Sequence, residues 1–438
     1  MMRFVVVVCG MAMSWAWAAA PAAAGWSASV TLHPASGSVD PSVTNPRATV
    51  DTQGRGLVAW FASRGTTLDA ACDDWNQRPT RTRTVATRHV ISGVVGPATA
   101  SDGDGDEVVA WAQTDGLYAA VRSRDSACLT RPRRVVKLTM KASGSGDVHA
   151  VGTGRDSFVF VLRANGAVLA VATDDNARAA GGLDDLGRGT LYVSRSSGDD
   201  LRADARGDAV LVWSEAGSPQ RLAVSVRPPG GAFGAPQSLP DAGAADPSLA
   251  VDAAGDYAVA WTDTTRSGEL TDYGTPSVAI GTQDTPLGLA IRAPAAQGRD
   301  SYAPQAAFLG SLRLAVLWQV KTRPTPFADT GSVVEATLDA GRFGAPRSAG
   351  SVEDADDPQV AAMTDQQVLV LSTRTHRFAA QIVTRAGILR SIAPPHGVAL
   401  QIHGAGAGAD RDLASTGRYA IATWAARTGI QASMYHHA

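Results

Sequence analysis

Pro247-Ser-Leu-Ala-Val-Asp252-Ala-Ala-Gly255-Asp-Tyr-Ala-Val-Ala-Trp261 holds two short runs of alternating apolar residues separated by an Asp-x-x-Gly step. Leu249 and Val251 alternate with smaller neighbours before the step, and Tyr257, Val259 and Trp261 alternate after it. A period of two marks a strand with one face buried, so the stretch reads as a β-hairpin. Asp252 can cap the turn through its side chain, and Gly255 supplies the positive φ that such a turn requires.

The same pattern recurs on both sides. Arg47 to Trp60 repeats it with Asp51 and Gly54, Pro97 to Trp111 with Asp102 and Gly105, and Leu201 to Trp213 with Asp204 and Gly207. Degenerate copies run from Val148 to Val161, Pro304 to Trp318, Pro358 to Ser372 and Asp412 to Trp424. The period is about 50 residues, in the range of repeat architectures. A second hairpin follows in the better copies: Arg221 to Arg227, a Pro-Pro-Gly-Gly turn, then Ala235 to Leu239. Four short strands per repeat make one propeller blade. The expected fold is therefore all-β, a β-propeller of eight four-stranded blades, or seven if Val148 to Val161 or Pro358 to Ser372 is an insertion.

The two ends agree with a closed ring. The last copy reaches a third strand at Gly429 to Tyr435 and lacks a fourth, whereas Gly25 to Leu32 resembles the fourth strand Gly231 to Leu239 and precedes the first repeat. A final blade shared between the two ends removes the open sheet edges that invite aggregation.

The repeat resembles those of bacterial secreted β-propellers, and its Pro-x-x-Ala-Val-Asp-x-x-Gly half is similar to the NHL repeat. It is longer than an NHL repeat and ends on Trp. A sialidase Asp-box needs shorter spacings than those joining Asp252, Gly255 and Trp261, and Kelch and WD40 signatures are absent. The resemblance spans nearly all of residues 25–438, read as a single propeller domain. Enzymes and binding modules share this superfold, so it implies no particular function.

Arg3, the apolar run Phe4 to Trp17 and the small residues Ala18 to Ala24 read as a secretory signal over residues 1–24. No later segment approaches the length of a spanning helix. The expected protein is secreted, extracellular, monomeric and not inserted in a membrane. Removal of the signal leaves Cys72 and Cys128, which in an oxidising compartment are expected to pair. That disulfide would contribute roughly 4 kcal/mol on the chain-entropy model.

The 438 residues carry a net charge of -2, with 18% charged and 45% hydrophobic residues, which suits a large core and removes the electrostatic case for a nucleic-acid partner. The basic runs Arg78, Arg81, Arg83, Arg88 and Arg131, Arg133, Arg134, Lys137 read as solvated strand edges. Asp102-Gly-Asp104-Gly-Asp106-Glu107 has the composition of a calcium loop. Asp102 and Asp106 align with Asp252 and Asp256 of the ordinary repeat, so no cofactor is expected, with calcium at Asp102, Asp104 and Asp106 as the alternative. No Ser/His/Asp order, HExxH or Gly-x-Ser-x-Gly is present, and no catalytic residue is assigned. His149 falls on the first strand of the third repeat, the strand that lines a propeller channel.

Loop length points elsewhere. The connections Asp263 to Gly274 and Lys321 to Gly331, with the links around Asp300 and Glu353, are long and lie on one face. Functional residues concentrate on such loops. The candidate ligand-binding set is Arg266, Glu269, Asp272, Tyr273, Asp300, Tyr302, Lys321 and Arg323. The expected function is an extracellular binding or interaction module for a glycan, peptide or protein. The alternative is a glycan-active hydrolase or lyase pairing Glu269 with Asp272 or Asp300, since glycosidases need two carboxylates about 5 to 9.5 Å apart.

Overall fold

The computed structural model describes residues 25–34, 44–62, 67–74, 78–86, 97–140, 147–155, 157–191, 201–217, 221–239, 244–267, 272–294, 301–321, 330–353, 359–364, 366–374, 377–386, 389–392, 394, 411–426 and 429–437. Each Asp-x-x-Gly step closes as its residues dictate. Asp51 Oδ1 accepts the amides of Gln53 and Arg55 at 2.8 and 2.9 Å. Asp102, Asp204 and Asp252 do the same for their own turns. Gly54, Gly105, Gly207 and Gly255 sit at φ of 81°, 92°, 96° and 85°, where a side chain would be strained. The aspartate thus satisfies amides that the turn removes from the ladder.

Among the described residues the strand pairings resolve into eight antiparallel units. Their innermost strands are Thr44–Val50, Ala98–Ser101, Val148–Gly152, Leu201–Ala203, Ala244–Val251, Ser301–Phe308, Gln359–Thr364 and Arg411–Thr416. Numbered 1 to 8 in chain order, they neighbour one another cyclically, and the innermost strand of blade 8 lies against that of blade 1. Both degenerate copies are full blades: Val148–Gly152 opens one four-stranded unit and Gln359–Thr364 another.

The core is divided into eight seams, one at each junction between consecutive blades. Trp60, Trp111, Trp213, Trp261, Trp318 and Trp424 are all at most 1% exposed, and each reaches back onto the preceding blade. Trp261 of blade 5, for instance, packs with Val210 and Val212 of blade 4, and Trp60 of blade 1 with Ile421 and Ile430 of blade 8. One correction applies to blade 3. Val161 pairs with His149, so the tryptophan position belongs to Leu162, which faces Ala110 and Ala112 of blade 2. In blade 7 the position is Ser372, and its seam is filled by small aliphatic residues such as Val360, Val368 and Val370.

The ring closes through the N-terminal segment. Gly25–Trp26 and Val30–Pro34 both pair with Gly429–His436. Ser27 N–H donates to the Met434 carbonyl at 2.7 Å, the Ser433 hydroxyl donates to the Ser27 carbonyl at 2.9 Å, and the Trp26 and Tyr435 rings lie 5.3 Å apart. Between blades 1 and 2, Cys72 and Cys128 form a disulfide with Cα atoms 5.4 Å apart. Beside it Arg83 donates to the Leu129 carbonyl at 2.7 Å. No helix among the described residues is long and apolar enough to cross a membrane. The secretory signal expected at residues 1–24 lies outside the described residues.

Candidate functional site

An innermost strand has one edge without a strand partner, so where that edge is buried its polar groups are satisfied by side chains from the preceding blade. Asp412 of blade 8 does this for blade 1, its Oδ2 accepting Ala48 N–H at 2.8 Å. Ser248 of blade 5 does it for blade 6, accepting Ala306 N–H at 3.3 Å. Both occupy the level at which the inner strand pairs with the residue just before the tryptophan position. The same level holds Arg47, Ala98, His149, Gln305 and Gln359. It is a polar belt buried near the axis: Gln359 and Ser248 are 0% exposed, and His149 and Arg47 3% and 4%.

Two residues further along each strand the wall changes character. Blades 5 to 8 present Ala250, Ala307, Ala361 and Ala414 at this level, and blades 1 to 3 present Thr49, Ala100 and Val151. Blade 4 alone places a long cation there, Arg202. Small residues leave space, and the space is a cavity of about 650 Å³ on the axis. Its lining runs from Arg47, Pro97 and Asp412 at the belt to Thr52, Gly103, Arg155 and Ala205 at the tight turns, where those four are exposed. That volume falls in the range of small-ligand sites.

The charged residues of the described lining run from blade 8 round through blades 1 to 4 and leave blades 5 to 7 without charge. Arg47 lies 3.5 Å from Asp412 Oδ1, and both are buried. Arg202, on the blade four steps round the ring, is close enough for its charge to act on Asp412. Burial raises the Asp412 carboxyl above its ordinary range, against the pull of Arg47 and Arg202. Burial lowers both guanidinium groups, with Asp412 opposing that shift. The opposite arc is apolar, formed by Leu249, Val251, Ala306, Phe308 and Val360 with the alanines of blades 5 to 7.

Three carboxylates line the cavity, and all are engaged by backbone amides. Asp412 holds Ala48 N–H, while Asp102 and Asp204 hold the amides of their own turns. Asp204 Oδ2 also accepts Arg206 Nε at 2.8 Å. Burial pushes the Asp102 carboxyl up to about 6, and its Oδ2 has no hydrogen-bond partner among the described residues. In the candidate calcium loop, Asp106 Oδ1 accepts Arg124 N–H at 2.6 Å and Asp104 faces Arg155 at 3.6 Å. Among the described residues no three His, Cys, Asp or Glu side chains gather as a metal site would need.

The candidate rim residues are distributed differently from what loop length implies. Asp263 to Gly274 is largely strand: Tyr257–Ser267 and Asp272–Gly281 continue their ladder outward, with Arg266 opposite Tyr273 and Ser267 opposite Asp272. Tyr302 pairs with Gln319 on blade 6, and Lys321 with Gly331. Gly274 pairs with Ser301, which joins the rims of blades 5 and 6. Glu269, Asp300 and Arg323 lie outside the described residues. Sequence reasoning placed His149 on the channel wall correctly and missed Arg47, Arg202 and Asp412. An arginine two residues before the Asp of Asp-x-x-Gly, where the other such copies carry Thr49, Ala100 and Ala250, was the one available signal for Arg202.

No family model matches the chain, and no curated protein matches it. Among solved structures, the Dos1 propeller superposes with a TM-score of 0.51 at 8% identity, covering 93% of this chain and 94% of that one. The BP39L lectin from Burkholderia pseudomallei gives 0.49 at 14% identity over 80% of this chain and 99% of its own. The α-L-arabinanase of Penicillium chrysogenum gives 0.40 at 11% over 94% and 98%. The first of these likenesses establishes the propeller fold and says nothing of a ligand. The other two, below 0.5, add no argument.

Proposed function

We propose that this protein is a non-catalytic extracellular binding module that holds its ligand, a segment of glycan, peptide or protein, in the axial cavity. The observation that carries this reading is the cavity of about 650 Å³ with a charged arc facing an apolar one. Orientation by a few polar groups and affinity from apolar contact are what a binding site needs. Both carboxylate oxygens of Asp204 and of Asp412 are engaged by protein donors, and Asp102 Oδ2, which has no such donor among the described residues, is itself buried; this favours binding over hydrolysis, because a general acid or base must be able to reach a substrate proton. The disulfide is in keeping with an oxidising, extracellular address.

Titration calorimetry against panels of extracellular glycans and peptides tests it with two variants. Ala250→Trp fills the cavity, and replacement of residues 266–273 by a two-residue turn shortens the blade 5 rim. The expected result is binding that is lost in the first and kept in the second. Binding that survives the filled cavity and disappears with the shortened rim would move the site to the rim residues Arg266, Asp272, Tyr273 and their neighbours. The rival reading, a glycan hydrolase or lyase at that rim, has in its favour the Gly274 to Ser301 pairing that joins blades 5 and 6. Turnover of a glycan by the wild type that Glu269→Gln abolishes would replace the binding reading.

A further inference from the structure

We infer that the outer rim of blade 2 binds an anionic polysaccharide, at a surface separate from the axial cavity. The outermost strand of this blade, Arg133–Lys137, carries Arg133, Arg134 and Lys137 with no carboxylate, and Arg131 stands just before it. Protection of a free sheet edge needs less than this. The outermost strands of blades 4, 5 and 7, Gln237–Ser238, Ile291–Arg292 and Leu389–Ile392, hold no charge or a single arginine. Ala179–Thr190 of blade 3 sets Asp184 and Asp185 against Arg188. The charge on blade 2 is therefore a departure within the repeat.

Most of that charge is uncompensated. Arg134 pairs with Asp115 at 3.2 Å, and Arg124 lies 3.9 Å from Asp125. Arg133 and, from blade 1, Arg83 donate instead to carbonyls, those of Asn176 at 3.3 Å and Leu129 at 2.7 Å, which fixes them without neutralising them. Arg131 and Lys137 are exposed, and neither side chain has an ion pair or hydrogen bond among the described residues. Blade 3 brings Asp174 and Asp175 beside Asn176, together with Arg178. The chain on either side of blade 2 adds no negative charge, because residues 75–101 and 126–146 contain no Asp or Glu and hold Arg88 and Lys141.

The layout selects the class of ligand. Arg131 to Lys137 covers roughly 20 Å at the rise of a strand, so the cations form a line that fits a polyanion better than one small ion. Addition of an acidic peptide as a further strand is opposed by Pro132, which has no N–H, by the bulge between Arg134 and Val136, and by Lys137 on the edge. A lipid surface would need apolar side chains to insert, and the exposed large hydrophobic residues among those described, Leu183, Leu289 and Leu312, lie on other blades. Single-stranded nucleic acid would need open aromatic platforms. The ring opposite Arg134, Tyr118, is stacked on Trp111, and its hydroxyl donates to Asp115. Carboxylate or sulfate groups along a sugar chain need only the charge-assisted hydrogen bonds that Arg and Lys supply.

Biolayer interferometry at about 50 mM salt, where screening is weak, with immobilised heparin, polygalacturonate and neutral dextran is the test. Both anionic chains are expected to bind and dextran is not, with affinity falling as salt rises toward about 0.5 M. The tighter of the two anionic chains names the recognised group as sulfate or carboxylate. Arg131→Gln combined with Lys137→Gln is expected to weaken binding about tenfold with an unchanged melting temperature, since neither side chain holds a partner. Arg342→Gln combined with Arg390→Gln removes the same charge from the rims of blades 6 and 7 and is expected to leave binding unchanged. Ala250→Trp is expected to leave it unchanged too, so this inference stands or falls apart from the axial site. No binding of either anionic chain, equal losses in the two double variants, or a loss confined to Ala250→Trp overturns it. Duplex DNA or polyglutamate held through Arg131 and Lys137 as tightly as the glycans would assign the rim to that polymer and overturn the inference as well.

Discussion

The seams between blades and the wall of the axis are built from the same repeats, yet one is uniform and the other is not. At the seams, six blades put tryptophan at one position against the preceding blade, as Leu162 also packs, and blade 7 carries the small Ser372 there. On the axis, the described residues of one belt level, from every blade but the fourth, are Arg47, Ala98, His149, Ser248, Gln305, Gln359 and Asp412. A position that is repeated serves closure, which every junction requires. A position that varies is free to meet something that is not itself repeated. The comparison therefore separates scaffold from site without any catalytic motif.

The strongest way to break it is at a seam. Trp261→Ala is expected to lower stability by about 3 to 5 kcal/mol in denaturant unfolding, because a large buried side chain leaves a void that the two sheets cannot close. Trp261→Phe should cost much less, since the Trp261 indole N–H has no partner among the described residues and only volume is lost. Equal losses for the two would assign the indole nitrogen a role that packing does not explain. Next in size is the covalent link at the seam of blades 1 and 2. Replacing Cys72 and Cys128 together by Ser should cost about 4 kcal/mol, read from the unfolding midpoint without reductant. A loss under about 1 kcal/mol would mean that Arg83 and the seam already hold the two blades.

An effect smaller per pH unit concerns charge sealed inside blade 2. Glu107 is fully buried with Arg122 at 2.9 Å, and burial pushes its carboxyl up to about 8, against the pull of Arg122. A carboxyl whose folded pKa is raised gives stability that is complete below the unfolded value and fades as pH rises toward the folded one. Wild-type stability is therefore expected to fall between about pH 5 and 8, by at most about 1.4 kcal/mol per pH unit. Glu107→Gln should flatten that slope in chemical denaturation run across the window. A slope unchanged in the variant would show that Arg122 keeps the carboxylate ionised throughout. The smallest expected effect is in the turn that joins Thr330–Asp339 to Arg342–Phe343 in blade 6. Ala340 is exposed at φ 46° in the turn before Gly341, so Ala340→Asn should raise stability by about 0.5 to 1 kcal/mol, visible as a higher melting temperature.

Much of the architecture was legible because its signals are local. Asp252 to Gly255 names its own turn, Trp261 names its own seam, and Gly25 to Leu32 could be matched to a missing fourth strand by pattern alone. Where the local signal thinned, the reading slipped. Without a tryptophan in blade 3, the count to Val161 fell one residue short of Leu162. The polar stretch from Asp263 to Gly274 looked like a loop because the hairpin there extends past the apolar seams that make a strand recognisable. The axial site was illegible for a different reason. Arg202 and Asp412 act on each other only after the ring has closed, and nothing in the sequence between them states that they meet across the axis.

The pairing of Gly25–Trp26 and Val30–Pro34 with Gly429–His436 also orders events in time. Seven junctions join segments that are made one after another and can pack as they emerge, but the last sheet depends on contacts between residues such as Ser27 and Ser433, 406 positions apart. Contacts of such separation form slowly, because the entropy of closing the chain is spent before they return anything. During synthesis the first segment must wait unpaired until the final strand arrives. The same adjacency would let a short linker join residue 436 to residue 25 and new termini be opened at another blade junction, giving a circular permutant with the same ring and a different order of closure.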